Sequence, residues 1–455
     1  MLSEERVKEI TSQIFSYGRR KQQGRSLADE IEIILIDNNQ SLTRYANNVV
    51  TQNVHEGNMV ELTIRLIKDG KVGRTTTNRT DAPSLKKLVD DAAELCRFQK
   101  RDRNLLPLPG KQTYRTTDNY VDKTAVMSPH DRADAIRLVI AECEKHGLMG
   151  SGIFSNEFYN MTIANSRGLF AYHRGSSAAL TCTALTSDSS GCAREENKDV
   201  ARISPLSIAR TAIDKAIRSQ NPAAVPAGRY TVILEPAAVS NFMLFMAWRG
   251  FGALSYHEER SFLSGKLGQK ILGANITITD NAFHPKTMGV PFDFEGMPKK
   301  EVLLIEKGVA KNVVYDRDTA RKAKTTSTGH GLPQPNPAGP IPANLVLHSG
   351  ESSMEELISS TKKGILVTEL HYTNLVEPMA LVLTGMTRNG TFLVEDGKIS
   401  RGIKNMRFTE SIVKALSQVE LITRDSKYSS AFFGGGFVVP ALKINDFNFS
   451  SETKF

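Results

Sequence analysis

The stretch Asn221-Pro-Ala-Ala-Val-Pro-Ala-Gly228 places two prolines and a glycine within eight residues. Proline fixes φ and lacks the backbone N–H that a helix interior or a central strand requires, so neither element can run through this stretch. It divides the 455-residue chain into two regions of different pattern. Upstream, the order helix, sheet, helix is read twice. Residues 3–18 place Val7, Ile10, Ile14 and Phe15 on one helical stripe. Glu30–Ile36, Leu42–Ala46, Val50–Val54 and Met59–Ile67 read as strands. Asp37-Asn-Asn-Gln40 reads as a turn by composition, and Asp69-Gly70 as a hairpin turn. Asp81 starts a helix that runs to about Arg97. The polar segment Asp102–Asp122 carries Pro107 and Pro109 and reads as a linker. A second helix follows Ser128-Pro129, then strands between Gly152 and Leu185, then a helix over Ser204–Ser219.

Downstream of Gly228 the pattern changes. Arg229–Leu234 reads as a strand and the apolar run Phe242–Trp248 as part of a buried helix. Strands and long loops then dominate. Arg388-Asn389-Gly390 and Asp396-Gly397 read as hairpin turns, because Asx-Gly pairs supply left-handed conformations, and Thr409–Leu416 as a helix. Helices and strands in blocks predict an α+β fold of mixed and antiparallel sheets with flanking helices. The expected domains are residues 1–105, 118–220 and a strand-rich 227–455.

The chemistry concentrates after the apolar helix. His257 and Glu258 form the first half of the zinc-protease helix motif. In that motif two histidines about one turn apart face one metal ion, and the glutamate activates bound water. The second histidine is missing: Ser261 stands four residues on and Phe262 five. Two readings stay open. His257 could serve as a metal ligand and Glu258 as the catalytic base, with His330, His348 or His371 completing the site; or the pair is polar surface at a helix end, bridging to Arg260. Further along, Glu369 and His371 fall on one face of an alternating strand, as an acid/base pair, as the lining of a peptide cleft, or with His371 a hydrogen-bonded structural histidine. His330, in the Pro/Gly-rich loop 327–342, and Arg388, a carboxylate-holding candidate, complete the list of peptide-cavity residues.

Seven stretches carry a resemblance. They are Thr43–Asn48, Arg260–Gly265, Gly289-Val-Pro-Phe-Asp-Phe-Glu-Gly296, Ser327–His330, Gly364–Glu369, Thr384–Gly397 and Lys404–Glu410. Together, in order, they resemble the TldD/TldE (PmbA) proteins, labelled metalloproteases and modulators of DNA gyrase. The resemblance implies a cytoplasmic dimer that degrades peptides or unfolded proteins. In the TldD branch a His-Glu-x-x-x-His helix and a late cysteine bind the metal. Here Phe262 occupies the second histidine position, and no cysteine follows Cys192. The chain is therefore more similar to the TldE/PmbA branch. No cofactor is expected on this chain, with zinc held by a TldD-like catalytic partner, and the dimer is formed with that partner or with itself.

Composition narrows the alternatives. A formal charge of +9 comes from scattered lysines and arginines rather than one basic face, so nucleic acid is not the expected partner. The four cysteines form no Cys-x-x-Cys pair. Apolar runs are too short for a membrane span, and the amino terminus has no apolar signal core, so the expected location is the cytoplasm. Two alternative functions remain: a self-sufficient metallopeptidase built on His257 and Glu258, and a basic protein that binds nucleic acid or DNA gyrase.

Overall fold

The computed structural model describes residues 2–22, 25–430 and 435–453. The fold is α+β, built on two large sheets. The first has six antiparallel strands: β1 (Glu30–Ala46), β2 (Val49–Lys68), β3 (Lys71–Thr77), β4 (Met149–Asn165), β5 (Phe170–Leu185) and β6 (Ser190–Asn197). Their order is β3-β2-β1-β4-β5-β6. The pairing of β1 with β4, from Glu32↔Asn165 to Tyr45↔Gly152, joins the two helix–sheet–helix units into one continuous sheet. Helices α1 (Glu4–Gly18) and α2 (Ala82–Phe98) cover one part of it, and α3 (Pro129–Lys145) and α4 (Pro205–Arg218) the other. Side chains of Ser3, Asp81, Ser128 and Ser204 cap the four helix starts, each accepting a backbone N–H that the helix itself leaves unpaired.

Asp37–Gln40 is not a turn. It lies inside β1, whose Asp37, Asn39, Ser41 and Thr43 alternate on one face and are all buried. Composition misleads here because that face meets polar partners. Asp37 accepts the Leu2 N–H at 2.5 Å, and Ser41 bonds His55 Nδ1 at 2.6 Å. Arg132, fully buried on α3, donates to Thr43 at 3.2 Å and Asn156 at 2.7 Å. These hydrogen bonds let a largely polar face sit in the core, with Asp37 Oδ1 left without a partner among the described residues.

The second sheet belongs to residues 228–452. Its strands include β7 (Gly228–Leu234), β8 (Ile278–Asp280), β9 (Val302–Glu306), β10 (Leu345–Leu347), β11 (Lys363–Glu377), β12 (Val382–Glu395), β13 (Met406–Ser411), β14 (Val419–Ser430) and β15 (Gly436–Glu452). Strand β15 pairs with both β13 and β7, so β15, β13, β12, β11 and β7 close into a ring. The apolar run forms α5 (Pro236–Arg249), which packs on this ring with Ala238, Val239, Phe242, Met243 and Met246 in the main hydrophobic core. Only its Trp248 is open to solvent.

Two readings of Asx-Gly pairs turn out differently. Asp69-Gly70 and Asp396-Gly397 are hairpin turns, with φ of 51° and 73°, and 47° and 77°. Arg388-Asn389-Gly390 instead lies within β12. The register moves from Val367↔Thr391 to Glu369↔Arg388, so β12 carries one extra residue, with φ of 55° at Asn389 and 119° at Gly390. It is a bulge, which needs the same left-handed backbone that a tight turn does. The expected helix over Thr409–Leu416 is likewise split: β13 extends to Ser411 and a short helix covers Ile412–Ser417. Among the described residues no helix is long and apolar enough to cross a membrane.

Candidate functional site

His257 is the last residue of a five-residue helix, α6 (Ala253–His257). The chain then leaves helical geometry, and Glu259 has φ of 56°. Residues 261 and 262 are thus not on the helix that carries His257. Phe262 is buried and meets Phe251 edge to face, with ring centroids 5.6 Å apart. Gly250 lies so close that a Cβ there would come within 2.0 Å of the Phe262 ring. His257 faces the Tyr315 hydroxyl at 3.3 Å, and exposed Glu258 pairs with Arg260. This pairing fits the surface reading of these residues; exposed pairs of this kind contribute about 0–1 kcal/mol. His348 bonds Thr279 at 3.3 Å. Among the described residues no three His, Cys, Asp or Glu side chains are grouped to hold a metal ion. All four cysteines are buried and lie in the first sheet and its helices. The donors around His257, a phenol and a carboxylate engaged by arginine, do not fit the three-ligand set of a catalytic zinc.

Glu369, His371 and Arg388 do come together, on neighbouring strands β11 and β12. Glu369 is directly opposite Arg388 in the ladder. Arg388 contacts His371 Nε2, and Asn389 donates to Glu369 at 2.5 Å. Burial, followed by the neighbouring guanidinium, holds the His371 pKa below its ordinary value. The bulge makes this grouping possible by turning Asn389 toward Glu369, while the Asn389 side-chain oxygen Oδ1 accepts from the Ser190 hydroxyl of β6 at 2.8 Å. The residues stand where β11 runs past its partner β7. That pairing ends at Val367↔Leu234, whereas β11 continues to Glu377.

His330 lies elsewhere, in the wall of a cavity of about 420 Å³ between the first sheet and the loops of the second region. It is buried and donates from Nε2 to Asp280 at 2.8 Å; Asp280, at the end of β8, also accepts the Asn344 N–H at 2.8 Å. Burial and the nearby Lys299 ammonium push the His330 pKa down. Burial opposes charge on Asp280 as well. The electrostatic attraction and hydrogen bond of His330, then Lys299 and the Asn344 N–H, outweigh it and hold the carboxyl below the usual aspartate range. Tyr428 lines both this cavity and the smaller cleft that contains Glu369.

A group not anticipated from the sequence surrounds His330. The loop Gly289–Gly296 folds so that Asp293 accepts backbone N–H groups from Glu295 at 2.9 Å, Met297 at 2.8 Å and Gly331 at 2.7 Å. Burial nevertheless raises its pKa to about 6. Glu295 has one backbone donor, Arg317, at 2.9 Å. Burial and the Asp293 charge push it up to about 8, so at neutral pH it carries a proton. Lys299 faces Asp280 and Asp293. On the opposite wall stand Glu157, its pKa raised by burial, and Glu196. The alternating acids of Asp293-Phe-Glu295, inside a stretch that carried the resemblance, were the available signal.

Residues 31–96, 121–220 and 227–451 match models described as the PmbA/TldA metallopeptidase domain 1, central domain and C-terminal domain. A metalloprotease of Methanocaldococcus jannaschii is 25% identical over 231 residues, 50% of this chain and 51% of that protein. A zinc metalloprotease TldD homologue of Saccharolobus solfataricus is 30% identical over 238 residues, 48% and 50% of the two chains. The chain thus spans about half the length of these two relatives. Among solved structures, TldE from Thermococcus kodakarensis superposes with a TM-score of 0.86 at 20% identity, covering 96% of this chain and 99% of that one. A Thermotoga maritima protein described as a modulator of a DNA gyrase gives 0.85 at 23% identity, covering 97% and 99%. At these identities the structural likeness establishes the fold alone. Matched in order by all three domain models, the chain belongs to the PmbA/TldD metallopeptidase family.

Proposed function

We propose that the chain is a TldE-like subunit of a cytoplasmic metallopeptidase. It shapes the peptide cavity of a dimer, while a TldD-like partner holds the catalytic zinc. The observation that carries this reading is the end of α6 at His257 together with the burial of Phe262 against Phe251. A helix that stops there cannot present a second ligand one turn later, and the side chain at 262 is part of the core.

Two features support a role in holding peptide. Among the described residues no strand pairs with the β7-side edge of β11 beyond Val367, beside Glu369 and His371, the arrangement used when an extended peptide adds a strand to a sheet. The cavity beside His330 and the Glu369 cleft lie on either side of a shared lining residue, Tyr428.

The test is copurification followed by metal analysis and peptidase assay. The isolated chain should carry no stoichiometric zinc and cleave no peptide, and activity should appear only with a TldD-like partner. Zinc at one equivalent, lost in His257→Ala, would overturn the reading. A stricter version uses Phe262→His. If residue 262 faces the core, this variant gains no zinc in elemental analysis; a gain of one equivalent would show that the position can reach a metal. Retention on DNA at low salt that weakens steeply as salt rises would instead favour a nucleic-acid partner.

A further inference from the structure

The cavity beside His330 has two charged ends separated by an apolar band. At one end Glu157 and Glu196 approach each other near Tyr428. Glu157 accepts from the Ser177 hydroxyl at 3.2 Å through Oε1, and Glu196 accepts the Ser430 N–H at 3.1 Å through Oε2. Among the described residues the second oxygen of each acid has no hydrogen-bond donor, and Arg194 lies 3.7 Å from Glu196 Oε2. At the other end Lys299 is half-buried. Its ammonium senses Asp280 and Asp293 but makes no direct hydrogen bond or ion pair among the described residues. Met161, Val290, Phe292, Leu332 and Ile341 line the space between. The charged atoms at the two ends are open to the cavity, where a ligand of opposite charge can hydrogen-bond them in place of water. A volume of about 420 Å³ falls in the range of small-molecule sites.

We propose that this cavity binds a short peptide with free termini and apolar side chains, its ammonium held by Glu157 and Glu196 and its carboxylate by Lys299. A di- or tripeptide has both charges at its ends and an apolar middle. A longer chain would have to leave one charged end of the cavity unmatched. The proposal rests on reading the cavity as a peptide chamber, but it concerns this chain alone and requires neither zinc nor a catalytic partner. Metal and peptidase assays can therefore fail while this proposal stands, and the reverse.

The experiment is calorimetric titration of the isolated full-length chain with tri-leucine, N-acetyl-tri-leucine and tri-leucine amide. The uncapped peptide should bind, and each cap should weaken binding at least tenfold. In Lys299→Met the acid and the amide should bind alike. In the double variant Glu157→Gln and Glu196→Gln the amine and the acetylated peptide should bind alike. Thermal melts establish that each variant is folded, and if one is not, the capped series on the unaltered chain decides. No binding of tri-leucine at millimolar concentration, or equal affinity for all three peptides, would overturn the proposal. Equal weakening by both caps in every folded variant would also overturn it, since Lys299 and the two glutamates would then not read the termini.

Discussion

Asp280→Ala is expected to destabilise the fold by about 3–5 kcal/mol, the usual cost of removing one member of a buried, hydrogen-bonded charged group. Asp280 is fully buried and satisfies His330 Nε2 and the Asn344 N–H. Its charge also faces the Lys299 ammonium. Alanine would leave two donors unpaired and remove a counter-charge from Lys299. The group is central to the fold, because it ties the end of β8 to loop 327–342 and to the segment that leads into β10. Chemical denaturation should show a lower midpoint at an unchanged slope. The pH dependence has a definite sign. Asp280 and His330 both have folded pKa values below their ordinary ones. Their contributions are therefore complete above the unfolded values and are lost as pH falls through the folded ones. The deficit of the variant should be full at pH 7 and shrink below the ordinary aspartate range. A loss under about 1 kcal/mol at pH 7 would mean that water replaces the carboxylate, and that the site is not closed in the way its burial indicates.

How much of this could be read in advance depends on the distance over which each feature is set. Asp69-Gly70 and Asp396-Gly397 are legible because a tight turn is decided by its own two residues. The same local rule fails at Arg388-Asn389-Gly390, because a bulge demands the same backbone and only pairing with β11 distinguishes the two. Asp37–Gln40 fails for a related reason. Its polar side chains face inward toward partners from distant segments, Leu2 and His55 among them. The α+β class is legible from the blocks of periodicity. The joining of both upstream units through β1 and β4 is not, since nothing in either strand names its partner. At the candidate site, the missing second histidine is visible in the sequence, and the burial of Phe262 gives it a structural meaning. The grouping of Asp280, Asp293, Lys299 and His330 spans 50 residues of loop and short strand, and only tertiary packing creates it.

Glu295→Gln should make the protein more stable at alkaline pH, contrary to the usual direction for altering a buried residue. Glu295 is buried beside Asp293, and its pKa is raised from 4.5 to about 8. The folded state then holds a proton that the unfolded chain releases near its ordinary value. As pH rises from 4.5 to 8, the wild-type protein loses stability at up to about 1.4 kcal/mol per pH unit, and above 8 the loss levels off. Glutamine has no proton to lose, and its carbonyl oxygen can still accept the Arg317 N–H that Glu295 accepts at 2.9 Å. Its amide is uncharged beside Asp293, as the protonated carboxyl is. Thermal and urea denaturation at pH 5 and pH 8.5 should therefore show nearly equal stabilities at the lower pH, with the variant ahead by about 2–4 kcal/mol at the higher. Burial dominates the shift, and Asp293 comes second. Asp293→Asn should accordingly reduce the pH slope of the wild-type protein without abolishing it. A Glu295→Gln variant that tracks the wild type at both pH values would show that Glu295 ionises freely inside the fold. The acid-rich wall around His330 would then have to be more open to water than a residue 5% exposed allows.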